Sequence, residues 1–276
     1  MIDLHSHFLY GVDDGPSTIK DSFELLKQAE QAGITQILAT PHYTDRSTER
    51  DRATIFEIFK EIKKRLPEYD LHLEIQLAAE VYHSPEMLNW LDQSWLLIGS
   101  KQHYLLFDIP MQMPPPDLAE TIFQLGRRKV IPILAHPERN GEVQKKPQLL
   151  AEWIRLGCIM QMDAGSLTGK FGRRCQRTSR QLLNDGLIHL IASDAHDCTE
   201  RNFNLLVQAR SIVEKKYGLQ LSRLLFFDNP RRIWAGEQLM SIQPPAATTR
   251  VNMIRQLSGA VSRVFFNAHS RESGNP

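Results

Sequence analysis

The chain has 276 residues, 42% of them hydrophobic, with 33 Lys+Arg against 32 Asp+Glu and 10 histidines. Such a length buries a large core as one big domain or two ordinary ones, and a formal charge of +1 argues against both the broad basic surface of a nucleic-acid binder and an acidic disordered chain. No apolar run approaches the ~18 residues that suggest a membrane span, no secretory signal opens the chain, and three cysteines suit cytoplasmic thiols better than a disulfide framework.

Short apolar or β-branched runs alternate with segments of helical period. Strands are predicted at Met1–Leu4, Thr35–Ala39, Leu73–Ala79, Tyr104–Phe107, Val130–Ala135, Cys158–Met162 and His189–Ala192, each of a length that suits a buried strand. In Thr18–Ala32 the residues Phe23, Leu25, Leu26 and Ala29 make an apolar stripe, and Gly33 is its stop. Asp51–Leu66, ended by Pro67, reads as a helix too, as do Asp117–Arg128, Pro147–Leu156, Gln176–Asn184 and Arg201–Tyr217. Seven strand–helix units in one direction predict a parallel α/β barrel, with a doubly wound open sheet as the alternative that periodicity leaves open. The Asp228-Asn229-Pro230 turn and a helix over Arg231–Gln238 close the domain near residue 240. Residues 241–276 read as a linker around Pro244-Pro245, a short amphipathic helix over Val251–Phe266 and a disordered polar tail from His269. That tail can be back-translated as an inverted repeat, so read-through into repetitive DNA is expected; codons that break the palindrome would contradict it.

Chemistry-bearing residues follow the strands. His5 and His7 follow the first, with Asp13-Asp14-Gly15 in the next loop; His42 follows the second. Glu80 ends the third, Asp108 the fourth, His136 the fifth, and Asp194 with His196 the seventh. In a parallel barrel all these ends open on one face. Imidazole and carboxylate are ligands for Mn, Fe or Zn, and there are too many here for one four-coordinate ion. Each residue alone has a plain structural reading: a hydrogen-bonded histidine, an aspartate turn, a helix cap. Recurrence after six of the seven strands is what favours a site of two or three metals, suited to in-line displacement at phosphorus. Arg139 and Arg201 lie just beyond His136 and His196 and match phosphate oxygens bidentately. Without the metals, surface pairs of Arg139 with Glu138 or Glu142, and of Arg201 with Glu200, would be the simpler reading.

The opening Met-Ile-Asp-Leu-His-Ser-His and Asp13-Asp14-Gly15-Pro16 resemble the PHP (polymerase and histidinol phosphatase) superfamily. So do Thr40-Pro41-His42, Ala79-Glu80, Ala135-His136-Pro137-Glu138-Arg139 and Ser193-Asp194-Ala195-His196. The Asp-Asp-Gly-Pro loop, His-Pro-Glu-Arg, Ala164-Gly165-Ser166-Leu167 and Asp228-Asn229-Pro230 look like its CpsB/CapC-type branch. Members of that branch are manganese-dependent protein-tyrosine phosphatases associated with capsular or extracellular polysaccharide synthesis. The resemblance covers residues 1 to about 240 and implies a distorted seven-stranded (β/α)7 barrel holding three divalent ions, manganese or else iron or zinc. By motif, His5, His7, Glu80 and Asp194 would bind one ion, and Glu80, Asp108 and His136 a second, with Glu80 bridging. Asp14, with Asp13 as its alternative, would hold the third with His42 and His196, while Arg139 and Arg201 grip phosphate. Asp108 stands where this branch would carry glutamate, one methylene longer, and Asp163 where a neutral residue is expected.

The implied reaction is phosphomonoester hydrolysis by a hydroxide held between metal ions. Its implied protein substrate is a membrane-associated bacterial tyrosine autokinase, and Asp45–Arg52 is either part of the entrance or plain solvated surface. The rivals are a small-metabolite phosphatase acting on a compound such as histidinol phosphate, a phosphodiesterase or nuclease, and a metal-binding scaffold without turnover. A cysteine-based tyrosine phosphatase does not fit. Its C-x5-R loop would need arginine where Ala164, Gln181 and Asn204 follow Cys158, Cys175 and Cys198.

Overall fold

In a computed structural model, which describes residues 1–99 and 104–240, the first strand is β1 (Ile2–Ser6), buried along its whole length. The others are β2 (Gln36–Ala39), β3 (His42–Tyr43), β4 (Glu74–Leu77), β5 (Glu80–Tyr82), β6 (Leu97–Ile98), β7 (Tyr104–Asp108), β8 (Ile131–Ala135), β9 (Ile159–Asp163) and β10 (Leu190–Ala192). The helices are α1 (Ile19–Gln31), α2 (Glu49–Arg65), α3 (Leu118–Arg127), α4 (Gly141–Lys145), α5 (Leu149–Arg155), α6 (Ala164–Thr168), α7 (Gly172–Asn184), α8 (Asn204–Tyr217), α9 (Leu219–Arg223) and α10 (Asn229–Trp234). Among them, α1 is capped by Thr18, which accepts the Asp21 N–H, and buries the predicted stripe of Phe23, Leu25, Leu26 and Ala29. Thr48 and Asp51 cap α2 reciprocally, starting it two residues before the predicted Asp51.

The α/β class and the parallel strand direction hold, but the described residues do not form a closed seven-stranded barrel. They form a three-stranded sheet in the order β1-β2-β4 and a seven-stranded sheet in the order β10-β9-β8-β7-β5-β3, with β6 antiparallel to β7. Just past β10, Ala195 makes one bridge to Ser6 of β1, with the His7 N–H on Ala195 O at 2.8 Å and the Asp194 N–H on His5 O at 3.0 Å. Beside it, the Ser193 N–H is taken by a side chain: the Asp3 carboxylate accepts that N–H at 2.9 Å and the Ser193 hydroxyl at 2.5 Å.

Two predicted strands are each followed by a short second segment beyond their predicted ends. The run ending at Ala39 resumes as β3 after Thr40-Pro41, where proline offers no N–H to a ladder, and the run ending at Leu77 resumes as β5. Ala78 N–H to Ala39 O and Glu80 N–H to Pro41 O carry the pairing across the break. His42 and Glu80 therefore begin second segments, directly opposite each other in the β3–β5 pair.

Helix boundaries move for local reasons. Helix α8 begins three residues after the predicted Arg201, because the Asp197 carboxylate accepts the N–H groups of Thr199, Glu200 and Arg201 at 2.7, 2.5 and 3.1 Å. Arg201 thus sits in a fixed turn. Helices α4, α6 and α9 are additions to the predicted set, α7 starts four residues early at Gly172, and α10 covers Asn229–Trp234 rather than Arg231–Gln238. No described helix is long and apolar enough to cross a membrane. The predicted linker, short helix and tail over 241–276 lie outside the described residues.

Candidate metal centre

The ends of β1, β7, β8 and β10, the starts of β3 and β5, and the loop after β1 bring all nine predicted ligands to one place. His5 of β1 and His7 just past it hold their Nε2 atoms 3.1 Å apart. Glu80 Oε2 lies 3.3 Å from His5 Nε2, 3.4 Å from His7 Nε2 and 2.9 Å from His42 Nδ1. Asp194, two residues past β10, puts Oδ1 3.3 Å from His5 Nε2 and 3.6 Å from His7 Nε2. On one side, Glu80 Oε1 is 3.0 Å from His136 Nε2, and His136 Nδ1 is 3.6 Å from Asp108 Oδ1. On the other, Asp14 Oδ1 is 3.4 Å from His42 Nε2 and 3.0 Å from His196 Nε2. Donor atoms of His5, His7 and Glu80, of Glu80, Asp108 and His136, and of His7, Asp14, His42 and His196 lie within 4.8 Å of one another in each group. His136 and Asp194 hold φ angles of +33° and +50°, a costly conformation for residues with a Cβ that clusters at functional sites.

Two atoms test whether cations fit. Glu80 Oε2 is buried and accepts no well-directed hydrogen bond despite its three imidazole neighbours, and His196 Nε2 is likewise buried without one. Both aim into the cluster, where a cation would satisfy them. Burial opposes charge at every ring. The carboxylates nevertheless push His7 up to about 9 through Asp13 and Glu80, His42 up to about 11 through Asp14 and Glu80, and His136 up to about 10 through Asp108 and Glu80. Against their own burial, Glu80 and Asp194 are held well below the usual carboxylate range, both by His5 and Asp194 also by Arg201. Asp108 goes the other way: burial and the Glu80 charge, partly offset by His136, raise it to about 6.

Asp13, the predicted alternative to Asp14, and Gln161, which the sequence reading did not single out, stand behind two of the candidate ligands. Asp13 Oδ2 lies 2.9 Å from His7 Nδ1, and its Oδ1 accepts the Gly15 N–H at 3.1 Å. Asp13 therefore backs His7, and Asp14 faces the donors. Gln161 places its amide 2.6 Å from His5 Nδ1, and its Oε1 is otherwise a buried atom without a partner. With the amide turned so that Oε1 accepts from Nδ1–H, the oxygen is satisfied and the His5 Nε2 lone pair is free for a metal. A glutamine inside the apolar run Cys158–Met162 was the one signal for it.

Both arginines reach Asp194 rather than surface glutamates. Asp194 Oδ2 accepts Arg139 Nη1 at 3.0 Å and Arg201 Nη2 at 2.6 Å, while Arg201 Nη1 lies 3.5 Å from Asp14 Oδ2. Glu142 pairs instead with Lys145 and Glu200 with Lys170. The Arg139 guanidinium stacks 4.4 Å from the centre of the Phe171 ring. Asp163 caps α6 through the Gly165 N–H at 2.7 Å and keeps Oδ2 3.5 Å from Arg139 Nη1; burial, then Asp194, raises its pKa well above the usual range. The three cysteines are free thiols, and burial pushes Cys175 up to about 12, the reverse of an activated nucleophile.

Residues 1–235 match the family described as capsular polysaccharide synthesis, CpsB/CapC. The chain belongs to this family. Among CpsB/CapC relatives, it is 32% identical over 250 residues to the tyrosine-protein phosphatase YwqE of Bacillus subtilis, covering 91% of this chain and 97% of that protein. It is 27% identical over 238 residues to the tyrosine-protein phosphatase CpsB of Streptococcus agalactiae, covering 84% of this chain and 98% of the relative. A solved structure, from work on YwqE of B. subtilis and CpsB of Streptococcus pneumoniae as metal-dependent tyrosine phosphatases, superposes with a TM-score of 0.82 at 32% identity over 91% of this chain and 100% of that one. The dihydropyrimidinase of Brevibacillus agri, at 12% identity and a TM-score of 0.52 over 89% of this chain and 73% of that one, shares the fold alone.

Proposed function

We propose that this chain is a metal-dependent protein-tyrosine phosphatase of capsular or extracellular polysaccharide synthesis, acting in the cytoplasm. The reading is carried by the buried Glu80 Oε2, which has three imidazole nitrogens within 3.4 Å and no hydrogen bond of its own. In this reading His5, His7, Glu80 and Asp194 hold one ion, Glu80, Asp108 and His136 a second, and Asp14, His42 and His196 a third. Manganese suits such imidazole–carboxylate sets, with iron or zinc as alternatives. Bound there, the ions lower the pKa of water towards ~7 and offset phosphate charge.

This chain's own residues position the rest. Asp13 and Gln161 fix the His7 and His5 rings. Asp194 Oδ2 holds Arg139 and Arg201 side by side, and their remaining N–H groups take the non-bridging oxygens of a phosphate. A tyrosine phenolate, of pKa ~10, departs without a strong general acid, and no side chain is assigned that role. The side chains of His42 and Asp14 are 44% and 59% exposed, so the third group is open to a flexible protein segment, such as the tyrosine tail of an autokinase. We further read residues 1–240 as one catalytic unit whose strands make a distorted seven-membered ring, unclosed between β1 and β10.

Chelation of the purified protein is expected to abolish p-nitrophenyl phosphate turnover, and Mn²⁺ to restore it; turnover that survives thorough chelation overturns the metal reading. On parallel substrates, kcat/KM for a phosphotyrosine peptide is expected to exceed that for histidinol phosphate. The reverse order would make the chain a small-metabolite phosphatase.

A further inference from the structure

The near-neutral net charge conceals a segregated basic segment. The 21 residues from Ala164 to Asn184 contain Lys170, Arg173, Arg174, Arg177 and Arg180 but no Asp or Glu. Helix α7 turns Cys175, Thr178, Ser179, Leu182 and Leu183 inward and leaves all four arginines exposed. Arg174 lies near Glu142. Among the described residues, the guanidinium groups of Arg173, Arg177 and Arg180 have no ion-pair or hydrogen-bond partner.

Helix physics does not account for them. Arg173 and Arg174 occupy the first turn, which has no acidic residue, at the end of the helix dipole that disfavours cations. Arg173 and Arg177 are four residues apart, and Arg177 and Arg180 three, spacings at which like charges destabilise a helix. An anion lying along the face would turn both penalties into attraction.

The face also has a defined place. Phe171, the residue before α7, carries the ring against which Arg139 stacks, and Lys170 pairs with Glu200, next to Arg201. The basic strip therefore starts beside the two arginines that bracket Asp194, and Arg173 to Arg180 spans about 10 Å along the helix. Its exposed positions Gly172, Arg173, Arg174, Arg177, Arg180, Gln181 and Asn184 include no apolar side chain, so it lacks the inserting residues of a membrane-surface helix. Arginine, unlike lysine, presents a planar fork to a carboxylate.

We propose that the exposed face of α7 binds acidic side chains of the protein substrate flanking its phosphotyrosine, along a strip that about three extended residues span at ~3.3 Å each. The proposal rests on the phosphatase reading above and adds its sequence preference. The test compares two phosphotyrosine peptides that differ only in having glutamates or glutamines at the flanking positions. The enzymes are the Mn²⁺-loaded full chain and its variant Arg173→Gln/Arg177→Gln/Arg180→Gln. In low salt the wild type is expected to show a KM about 10-fold lower for the glutamate peptide, and the preference should shrink at about 500 mM NaCl, where the Debye length approaches 4 Å. The variant should lose the preference while its p-nitrophenyl phosphate turnover is unchanged. Equal KM values in the wild type, or the same preference in the variant, overturn the proposal.

Fluorescence anisotropy with the unphosphorylated glutamate peptide reads the surface independently of turnover. Binding that the variant loses supports the acidic-peptide surface even if no phosphatase activity is found, whereas absence of binding by the wild type counts against it. Co-sedimentation of the wild type, but not the variant, with phosphatidylserine vesicles, without peptide preference, would assign the face to a lipid surface instead.

Discussion

Two adjacent carboxylates, Asp13 and Asp14, take different work because one turns back and the other forward. Asp13 closes a short turn on the Gly15 N–H and meets His7 Nδ1 at 2.9 Å, whereas Asp14 meets His42 and His196. Partners behind metal ligands typically set ~10–100-fold of metal affinity. Asp13→Asn is therefore expected to weaken Mn²⁺ binding by about that factor and to regain turnover in excess Mn²⁺; calorimetric titration giving wild-type affinity would show that Asp13 does not back the ring. Asp108 is the other informative residue. Its Oδ1 accepts the Ile109 N–H at 2.6 Å and stops 3.6 Å from His136 Nδ1. Lengthening the side chain in Asp108→Glu should raise metal bound per chain under chelator competition, by roughly 3–10-fold in affinity. A loss of metal would mean that the surroundings have adapted to aspartate. The candidate ligand types were legible because most follow an apolar run, and imidazoles and carboxylates do not recur in that place so regularly by chance. Asp13 against Asp14 was not, since adjacent loop residues differ only by backbone direction, and neither was Gln161, hidden within the strand it interrupts.

Elements were legible where a hydrophobic period was long and stopped cleanly, as in α1 and α2, and less so where a strand broke under local constraint. The gaps at Thr40-Pro41 and Ala78-Ala79 leave no mark in apolar content, yet they set where His42 and Glu80 stand. The late start of α8 is of the same kind: Asp197 gathers three N–H groups into a turn, and the apolar period of the helix says nothing about it. The loop after β1 carries the most constrained small residue. A Cβ on Gly15 would lie 2.2 Å from the His7 carbonyl oxygen, which is backbone and cannot swing aside. Gly15→Ala must displace the loop and with it Asp13 and Asp14, while the loop's exposed tip contributes little to the core. Because misplacement by about 1 Å can cost ~10²-fold in rate, kcat/KM is expected to fall at least 10-fold with Tm lowered by no more than a few degrees. A large drop in Tm would place the effect in folding rather than in the site.

At the scale of the whole molecule, the histidines of the described residues do more than one kind of work, and pH separates them. Outside the candidate metal centre, His189 lies on the approach to β10, partly buried. The Met160 N–H donates to its Nδ1 at 3.1 Å, its own N–H donates to Met160 O at 3.0 Å, and its carbonyl accepts Asn229 Nδ2 at 2.8 Å. A ring that accepts through Nδ1 must be neutral there, and burial lowers its pKa to about 4, against ~6.5 in the unfolded chain. Between those values the unfolded state takes up a proton that the folded state refuses. The contribution to stability is therefore complete above pH ~6.5 and is lost as pH falls towards ~4. The full shift is discounted because part of the ring meets water, which leaves about 1–2 kcal/mol. Asp3 acts with the opposite sign, since burial raises it to about 7, so its folded form gains protons first and favours the native state at low pH. Only a difference between two chains isolates His189. His189→Gln keeps an acceptor for the Met160 N–H and removes the titration, while Asp3 is common to both proteins. Urea unfolding near pH 7.5 and again near pH 5 is expected to show wild type losing about 1–2 kcal/mol more than the variant. Equal losses in the two chains would mean that the imidazole at position 189 takes up its proton as readily in the folded state as in the unfolded one.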